Sequence, residues 1–559
     1  MRRFLLLCAA IAAIVWLEFA FYPGHTYLRG QTQLYVPALD RLAHPNFLSR
    51  DLVATQPFVT YTIYDEVTLF LKQVIGLHFQ TGLTVQQVLC RAAAVAGVFL
   101  MAGAAGFADV LALVVAAVVN LGIGLAGPAV STVGLEPIPR AFAFGLVLLA
   151  LGLLFKERPL LGSLIGGVAL VYDARIAAIF WIVFLLAAAC ERKLRPLCKA
   201  SVPILLVFVL LLANFAQLQQ GEVHAQIDFG RIPAWLRVLQ QSHTGSVWVS
   251  SWAGTYLWQY AGIYVLGLWA IARIWPILNR QARWCFLALP AAGLLSVAVS
   301  YLGLECFAWF PMSQIQPAQN LLYTAALTAI ACAFAAMQAA GKRRIWEAGL
   351  WFAVVFALAI DSSIFDFLCP RSIRQAGALV LCFALAFALA ALAAGFEHAP
   401  RWRPSPFTAF LAALFAIAAL LPHPAPINTK PVTSLADWAR KNTWGSSLFL
   451  FPDAGRSLEP GIFRVRSRRG LWVDWQGGAL ADYFEAAAAE WSRRWSQAAA
   501  GPFTPERLQR LLSLGIDYYV LKQKDRLANV APVYQNSRYV VYDANDLRAL
   551  RGPLRLDVP

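Results

Sequence analysis

"MRRFLLLCAAIAAIVWLEFAFY" (residues 1–22) decides how the rest of the chain is read. A basic start followed by an apolar run is shared by signal peptides and by first transmembrane helices. No small-residue cleavage site follows cleanly, and the run approaches the roughly 20 residues a span needs. The stretch is therefore expected to remain as an uncleaved first helix with its N-terminus inside. Arg2 and Arg3 then mark the inner side, and every later loop is assigned from that end.

The composition points the same way. Of 559 residues, 59% are hydrophobic and 14% are charged, with a mean hydropathy of +0.60. A soluble chain would carry roughly 25% charged residues, so the excess apolar surface implies many membrane spans. We expect about thirteen, at 4–22, 86–105, 108–126, 140–155, 159–172, 176–190, 201–217, 254–273, 285–302, 319–340, 347–366, 375–395 and 406–421. The basic clusters are Lys156 with Arg158, Arg192 to Lys199, Arg280 with Arg283, Lys342 to Arg344, and Arg401 with Arg403. All fall on the side of Arg2 and Arg3, as the positive-inside rule requires. The net charge of +16 is thus a topology signal and not the footprint of a nucleic-acid binder. An odd number of spans puts the C-terminus outside.

Two outer regions are large under this reading. Residues 23–85 form the first outer loop of a membrane module spanning 1–424. After the proline-rich linker "PHPAPINTKP" (422–431), residues 425–559 regain ordinary polarity. There "SLFLF" (447–451), "GLWVD" (470–474), "IDYYVL" (516–521) and "RYVVYD" (538–543) read as strands. The segments 434–442, 481–500 and 504–515 read as helices, the last with a threonine cap, Pro505 first and Glu506 in its first turn. The alternation predicts a soluble α/β domain. "RVRSRRG" (464–470) is a basic patch suited to anionic lipid or glycan phosphates, or a solvated hairpin.

In the first outer loop, Leu34, Tyr35, Ala38, Leu39 and Leu42 follow helical spacing, with Gln33, Asp40, Arg41 and His44 on the other face. The stretch 61–76 repeats the pattern, with Ile63, Tyr64, Val67, Phe70, Leu71, Val74 and Ile75 opposite Thr62, Asp65, Glu66, Lys72 and Gln73. Two amphipathic helices lying in the membrane interface are expected. A polar cap of solvated charges is the plainer reading of the same pattern.

No cysteine pair has CxxC spacing and no HExxH spacing occurs, so a resident metal site is not expected. Cys306 and Cys369 share the outer side, which leaves a disulfide open to them. Within the spans, Gly162 and Gly166 have the spacing of a close helix contact. Glu18 and Arg91 lie one turn inside their spans, where pairing would offset the cost of burying charge.

The arrangement resembles the GT-C clan of membrane glycosyltransferases: many spans, a large first outer loop with two interfacial helices, and a C-terminal outer domain. The phrases "QLYVPALDRLAHPNFLSRDL", "PFVTYTIYDE", "GLEPIPRAFAFGLVLL", "LADWARKNT", "VDWQGGAL" and "RYVVYDA" are similar to a bacterial subgroup of that clan with a periplasmic α/β domain. The resemblance implies a multi-pass protein of the cytoplasmic (inner) membrane that transfers a sugar from a polyprenyl-phosphate donor at the outer face. Membrane lipid is then the partner, and a divalent cation is the cofactor it allows. Such chemistry needs a carboxylate to take the acceptor's proton and cations to hold the leaving phosphate. Clan members carry an aspartate where Gln31 stands, His-Pro near Tyr172 and Asp173, and an arginine where Gln319 stands.

The candidate carboxylates are Asp40, Asp51 and Glu136, with Asp65 and Glu66 behind them. The candidate phosphate-binding groups are Arg140 and Arg175, with Gln31 at the rim. All five principal residues, Asp40, Asp51, Glu136, Arg140 and Arg175, are expected around one cavity of some hundreds of Å³. Each has a plainer reading as well: a helix-face or cap residue for the acids, a headgroup contact for Arg140 and a local pair with Asp173 for Arg175. A non-catalytic envelope-assembly or lipid-binding protein is the alternative function. A transporter fits less well, because no repeated halves with interrupted helices are seen.

Overall fold

A computed structural model of the protein describes residues 2–56, 62–190, 209, 230–243, 245–360, 373–396, 429–498, 501, 503–550 and 553–557. The expected spans 201–217 (apart from residue 209) and 406–421, Cys369 and most of the linker 422–431 lie outside these residues. The helices before the linker are α1 (Arg2–Ala20), α2 (Thr32–Ala43), α3 (Ile63–Gln73), α4 (Phe79–Ala104), α5 (Asp109–Val119), α6 (Pro139–Phe155), α7 (Pro159–Tyr172) and α8 (Ala174–Cys190). They continue as α9 (Ala234–His243), α10 (Gly254–Ile274), α11 (Arg280–Tyr301), α12 (Phe310–Ile315), α13 (Leu321–Gly341), α14 (Ile345–Ile360) and α15 (Ile373–Phe396). Among the described residues, 5 helices are long and apolar enough to cross a membrane by length and composition. Shorter apolar helices accompany them, including α5 to α8.

The structure departs from the expected span at 108–126. Helix α5 stops at Val119, and a short hairpin of β1 (Gly124–Leu125) and β2 (Val130–Ser131) follows. Asn120 ends the helix and Gly122 adopts φ +84, a conformation that breaks the helical path. Leu121, Ile123 and Leu125 stay buried, which is why the run looked like one span.

Close backbone contact holds the bundle. A Cβ on Gly97 of α4 would overlap the backbone at Leu148 of α6, and one on Gly152 would overlap Gly97. Small residues supply this approach where lipid gives no hydrophobic drive between helices. Gly162 and Gly166 serve packing too: Gly162 meets Leu154, and Gly166 receives the ring of Phe180. Helix α13 is buried along its whole length, and its alanines let neighbours approach from every side. Glu18 and Arg91 do not form an ion pair among the described residues. Arg91 instead donates to the carbonyls of Gly24 (2.7 Å) and Gly134 (2.8 Å) and stacks over Phe19.

The two ends of the bundle differ. One end collects Arg3 paired with Asp109 at 2.8 Å, Asn279 bonded to the Phe155 carbonyl, and Arg273 paired with Glu347. The other end carries α2, α3, the β1–β2 hairpin and the C-terminal region. In that region α16 (Lys430–Asn442), α17 (Glu459–Ser467), α18 (Glu485–Ala498), α19 (Pro505–Leu511) and α20 (Ala544–Ala549) surround a five-stranded sheet. Its strands are β3 (Leu448–Leu450), β4 (Gly470–Leu471), β5 (Tyr518–Lys522), β6 (Tyr534–Gln535) and β7 (Tyr539–Asp543), in the order β4-β3-β5-β7-β6. Strand β3 runs parallel to β4 and β5, while β7 is antiparallel to β5 and β6.

Helix α17 corrects the reading of "RVRSRRG" as a basic patch or hairpin. The segment ends a helix, capped by Arg468 at φ +56, and Arg464 is 1% exposed. Arg464 and Arg469 are buried and Arg468 pairs with Asp40, which leaves Arg466 as the exposed arginine of the stretch.

Beyond β3, Asp453 accepts the amide of Lys522 at 2.8 Å. Burial, aided by neighbouring Asp525, pushes its carboxyl up to about 6. A carboxyl raised above its unfolded value of about 3.9 binds more protons in the folded state. Stability of the C-terminal region is therefore expected to fall as pH rises from about 4 through 6 and then level. Asp453→Asn keeps an acceptor for the Lys522 amide and should flatten that slope in thermal melts taken across the same range.

Candidate functional site

Both first-loop helices form where the spacing put them, but they bury more than their apolar faces. Residues Thr32 to Asp40 of α2 are all buried, Gln33 and Asp40 included, because α17 covers the face expected to meet water. Gln33 donates to the carbonyls of Leu28 (2.7 Å) and Leu458 (3.1 Å), and there is no room for a Cβ on Gly461 beside it. Helix α3 turns Tyr64, Asp65 and Thr68 inward and leaves Phe70, Val74 and Ile75 exposed, the orientation of a helix with an apolar side to lipid.

The expected carboxylates are taken up by structure. Asp51, fully buried, accepts the amides of Val53 and Ala54 (both 2.9 Å) and of Leu471 (2.8 Å). Its carboxylate lies 3.7 Å from Arg464, which also binds Asp474 at 2.9 Å and the Gln33 carbonyl at 2.9 Å. Asp40, 2% exposed, sits between Arg468 at 3.3 Å and Lys72 at 3.6 Å. Burial raises its carboxyl while those two cations oppose the rise. Glu136 receives the amides of Arg29 (2.6 Å), Gly30 (2.7 Å) and Thr32 (3.1 Å), clamping the N-terminus of α2. Burial raises its carboxyl against these three donors. Asp65 is buried in α3, where burial and the adjacent Glu66 carboxyl push it well above the usual range, and Glu66 is exposed.

Only part of the expected set comes together. A cavity of about 90 Å³ lies at this end of the bundle. It is lined by Gln31 just before α2, Tyr35 of α2, Ala129 of the hairpin and Arg140 of α6, together with Gln316, Gln319, Asp482 and Tyr483. Arg175 stands beside it, donating to the Tyr483 hydroxyl at 3.3 Å while Nη2 holds Asp173 at 2.7 Å. Asp40, Asp51, Glu136, Asp65 and Glu66 do not line it. Glu136 acts on it indirectly by fixing the backbone on both sides of Gln31.

Two lining residues carry backbone strain. Ala129 has φ +51 and Gln316 has φ +50, both non-glycine residues in the left-handed region. Such conformations persist where the surrounding structure over-determines them, and they gather at binding and catalytic sites. Gln316 accepts from Gln319, whose own buried oxygen has no hydrogen-bond partner.

Asp482 escaped the sequence reading, which placed the start of a helix at 481. Residues Gln476–Asp482 instead form a 3₁₀ turn and α18 begins at Glu485. The readable signal was Gly477-Gly478. A Cβ on Gly478 would overlap the ring of His243, so only glycine lets this turn press against α9. Three consecutive carbonyls then receive bundle side chains: Ala481 from Gln240 (2.7 Å), Asp482 from Ser313 (3.0 Å) and Tyr483 from Gln314 (2.8 Å).

No family model matches this chain, and no curated protein matches it. Among solved structures it is similar to the arabinofuranosyltransferase AftD from Mycobacteria, at TM-score 0.44 and 15% identity. That match covers 97% of this chain and 42% of the other, so the chain spans well under half of AftD. It is also similar to ArnT from Cupriavidus metallidurans bound to undecaprenyl phosphate, at TM-score 0.43 and 13% identity over 97% of both chains. Both are GT-C-type membrane glycosyltransferases.

Proposed function

We propose that the protein is a membrane glycosyltransferase that takes a sugar from a polyprenyl-phosphate donor at the membrane–water boundary, in the cavity beside Arg140. The observation that carries this reading is the meeting of charge at one strained, buried cavity. Arg140 lines it at the start of α6, Arg175 stands next to it, and Asp482 faces in from the C-terminal region. A guanidinium on the first turn of a helix adds to the positive end of the helix dipole, a good place for a lipid phosphate. In the reaction, the acceptor oxygen bonds to the anomeric carbon as the bond from that carbon to the phosphate oxygen breaks. The polyprenyl phosphate leaves with the electron pair, and the arginines balance its charge.

The finer reading follows the basic clusters. The chain crosses the inner membrane about thirteen times, with the end holding Arg3 and Asp109 in the cytoplasm. Residues 425–559 then form an extracytoplasmic α/β domain on the membrane module 1–424, and the cavity opens at the outer face. A volume of about 90 Å³ suits a phosphate-sized group and not a sugar ring, so a wall must move to admit the donor.

One observation favours the second reading, a lipid-binding protein without catalysis: Asp40, Asp51 and Glu136 are all committed to structural contacts. The two readings part in proteoliposomes supplied with undecaprenyl-phosphate sugars and a hydroxyl acceptor. Transfer by the wild-type chain above that of empty vesicles supports the first. Saturable undecaprenyl phosphate binding without transfer supports the second.

A further inference from the structure

We propose that Gln319 reads the donor sugar: its side-chain oxygen accepts a hydrogen bond from the hydroxyl on C2, the carbon next to the anomeric carbon. This rests on the transferase reading above. Gln319 lines the cavity and is 6% exposed, and its Oε1 has no hydrogen-bond partner. Among the described residues lining the cavity, no other buried side-chain oxygen or nitrogen is left in that state. A buried carbonyl oxygen without a donor is costly, so a fold keeps one where water or a ligand supplies the missing hydrogen bond.

The neighbours fix which end of the amide is left for a ligand. Asp482 Oδ2 accepts from Gln316 Nε2 at 3.4 Å, and Gln316 Oε1 accepts from Gln319 Nε2. An ionised carboxylate can only accept, so Gln316 turns its NH₂ toward Asp482 and its oxygen toward Gln319. Gln319 must then give its NH₂ to Gln316, which leaves an oxygen as the free end of the chain. That polarity stands whatever else Asp482 holds, because it needs only one carboxylate oxygen. The backbone beneath is fixed as well. Gln316 sits at φ +50 after α12, and Pro317–Asn320 form a 3₁₀ turn into α13. Asn320 ties that turn to the carbonyls of Pro317 (3.0 Å) and Arg175 (3.2 Å). An acceptor oxygen in the same cavity as Arg140 calls for a ligand with a hydroxyl beside its phosphate. In a glycosyl phosphate, the hydroxyl nearest the phosphate is the one on C2. The contact forms in the opened cavity that admits the donor. A hydrogen bond held at that hydroxyl strengthens as the anomeric carbon gains positive charge, so it acts on the rate as well as on binding.

The test gives the full-length chain in vesicles each undecaprenyl-phosphate sugar of the transfer assay beside its 2-deoxy counterpart. For the wild type, kcat/KM should be about 10–100-fold lower with the deoxy donor. Gln319→Met should lose about as much with the hydroxylated donor and should then use the two donors nearly equally. Its binding of undecaprenyl phosphate, which carries no sugar, should stay at the wild-type value. Gln319→Glu keeps an acceptor oxygen and should keep the preference for the hydroxylated donor, at a lower overall rate because an anion then faces the phosphate. The ratio between donors is what a merely structural role would not move, since loss of the bond to Gln316 alone would slow both donors alike. A wild-type chain indifferent to the C2 hydroxyl would overturn the assignment, and so would a Gln319→Met protein that keeps the wild-type preference. A wild-type chain that binds undecaprenyl phosphate but transfers neither sugar sinks the transferase reading itself, and this inference with it.

Discussion

Arg464→Met should destabilise the junction between the first outer loop and the C-terminal region by about 3–5 kcal/mol. The side chain is 1% exposed and reaches Asp474 at 2.9 Å, the Gln33 carbonyl at 2.9 Å and Asp51 at 3.7 Å. Methionine fills a similar volume, so the loss is one of charge and not of packing. Two buried carboxylates would remain without their cation. Burial already raises the Asp474 carboxyl, and Arg464 opposes the rise most strongly, with help from the Gly477 amide. Without Arg464 that carboxyl should protonate more readily, and the deficit should shrink as the pH is lowered. The triple variant Asp51→Asn, Arg464→Met, Asp474→Asn should recover most of the loss, because a neutral buried set needs no counter-charge. Hydrogen exchange over Glu459–Ser467 and Gly470–Leu471, with melting temperature, reads the effect. Wild-type exchange in Arg464→Met at neutral pH would show that the cluster does not hold the two regions together.

Arg140→Gln should lower kcat/KM for transfer by about 10²–10³-fold, the usual cost of removing a group aimed at charge that develops in the transition state. It should also weaken undecaprenyl phosphate binding, because the leaving group and the product carry the same phosphate. Arg140 lines the cavity, whereas Arg175 lies beside it with its guanidinium committed to Asp173. Arg175→Gln is therefore expected to cost less, and to do so partly by releasing Asp173. The order of the two losses is the informative readout. If Arg175→Gln proved the more damaging, the phosphate would sit on the Asp173 side of the cavity and the direction of departure would have to be redrawn.

The elements were legible where a local period governs them. An apolar run of sufficient length becomes a helix in lipid whatever its neighbours are, so α1, α4, α6 to α8, α10, α11 and α13 stand close to their expected positions. The helical spacing of Leu34, Tyr35, Ala38 and Leu39 forecast α2, and the alternation in 516–521 and 538–543 forecast β5 and β7. The break at Asn120 and Gly122 was missed because hydropathy averages over a window, and two residues decided the turn.

What the sequence determined by itself was the inventory: which stretches are apolar and which are amphipathic. Those properties are set within a few turns of chain. What the tertiary structure decided was which polar groups are left for chemistry. Asp51 meets Leu471 across 420 positions, Gln33 meets Leu458 across 425, and Ser313 reaches the Asp482 carbonyl across 169. A buried polar group must be satisfied by whatever the fold brings near it, and no spacing rule encodes a partner hundreds of residues away. The same aspartate type is therefore a backbone clamp at position 51 and a cavity wall at position 482.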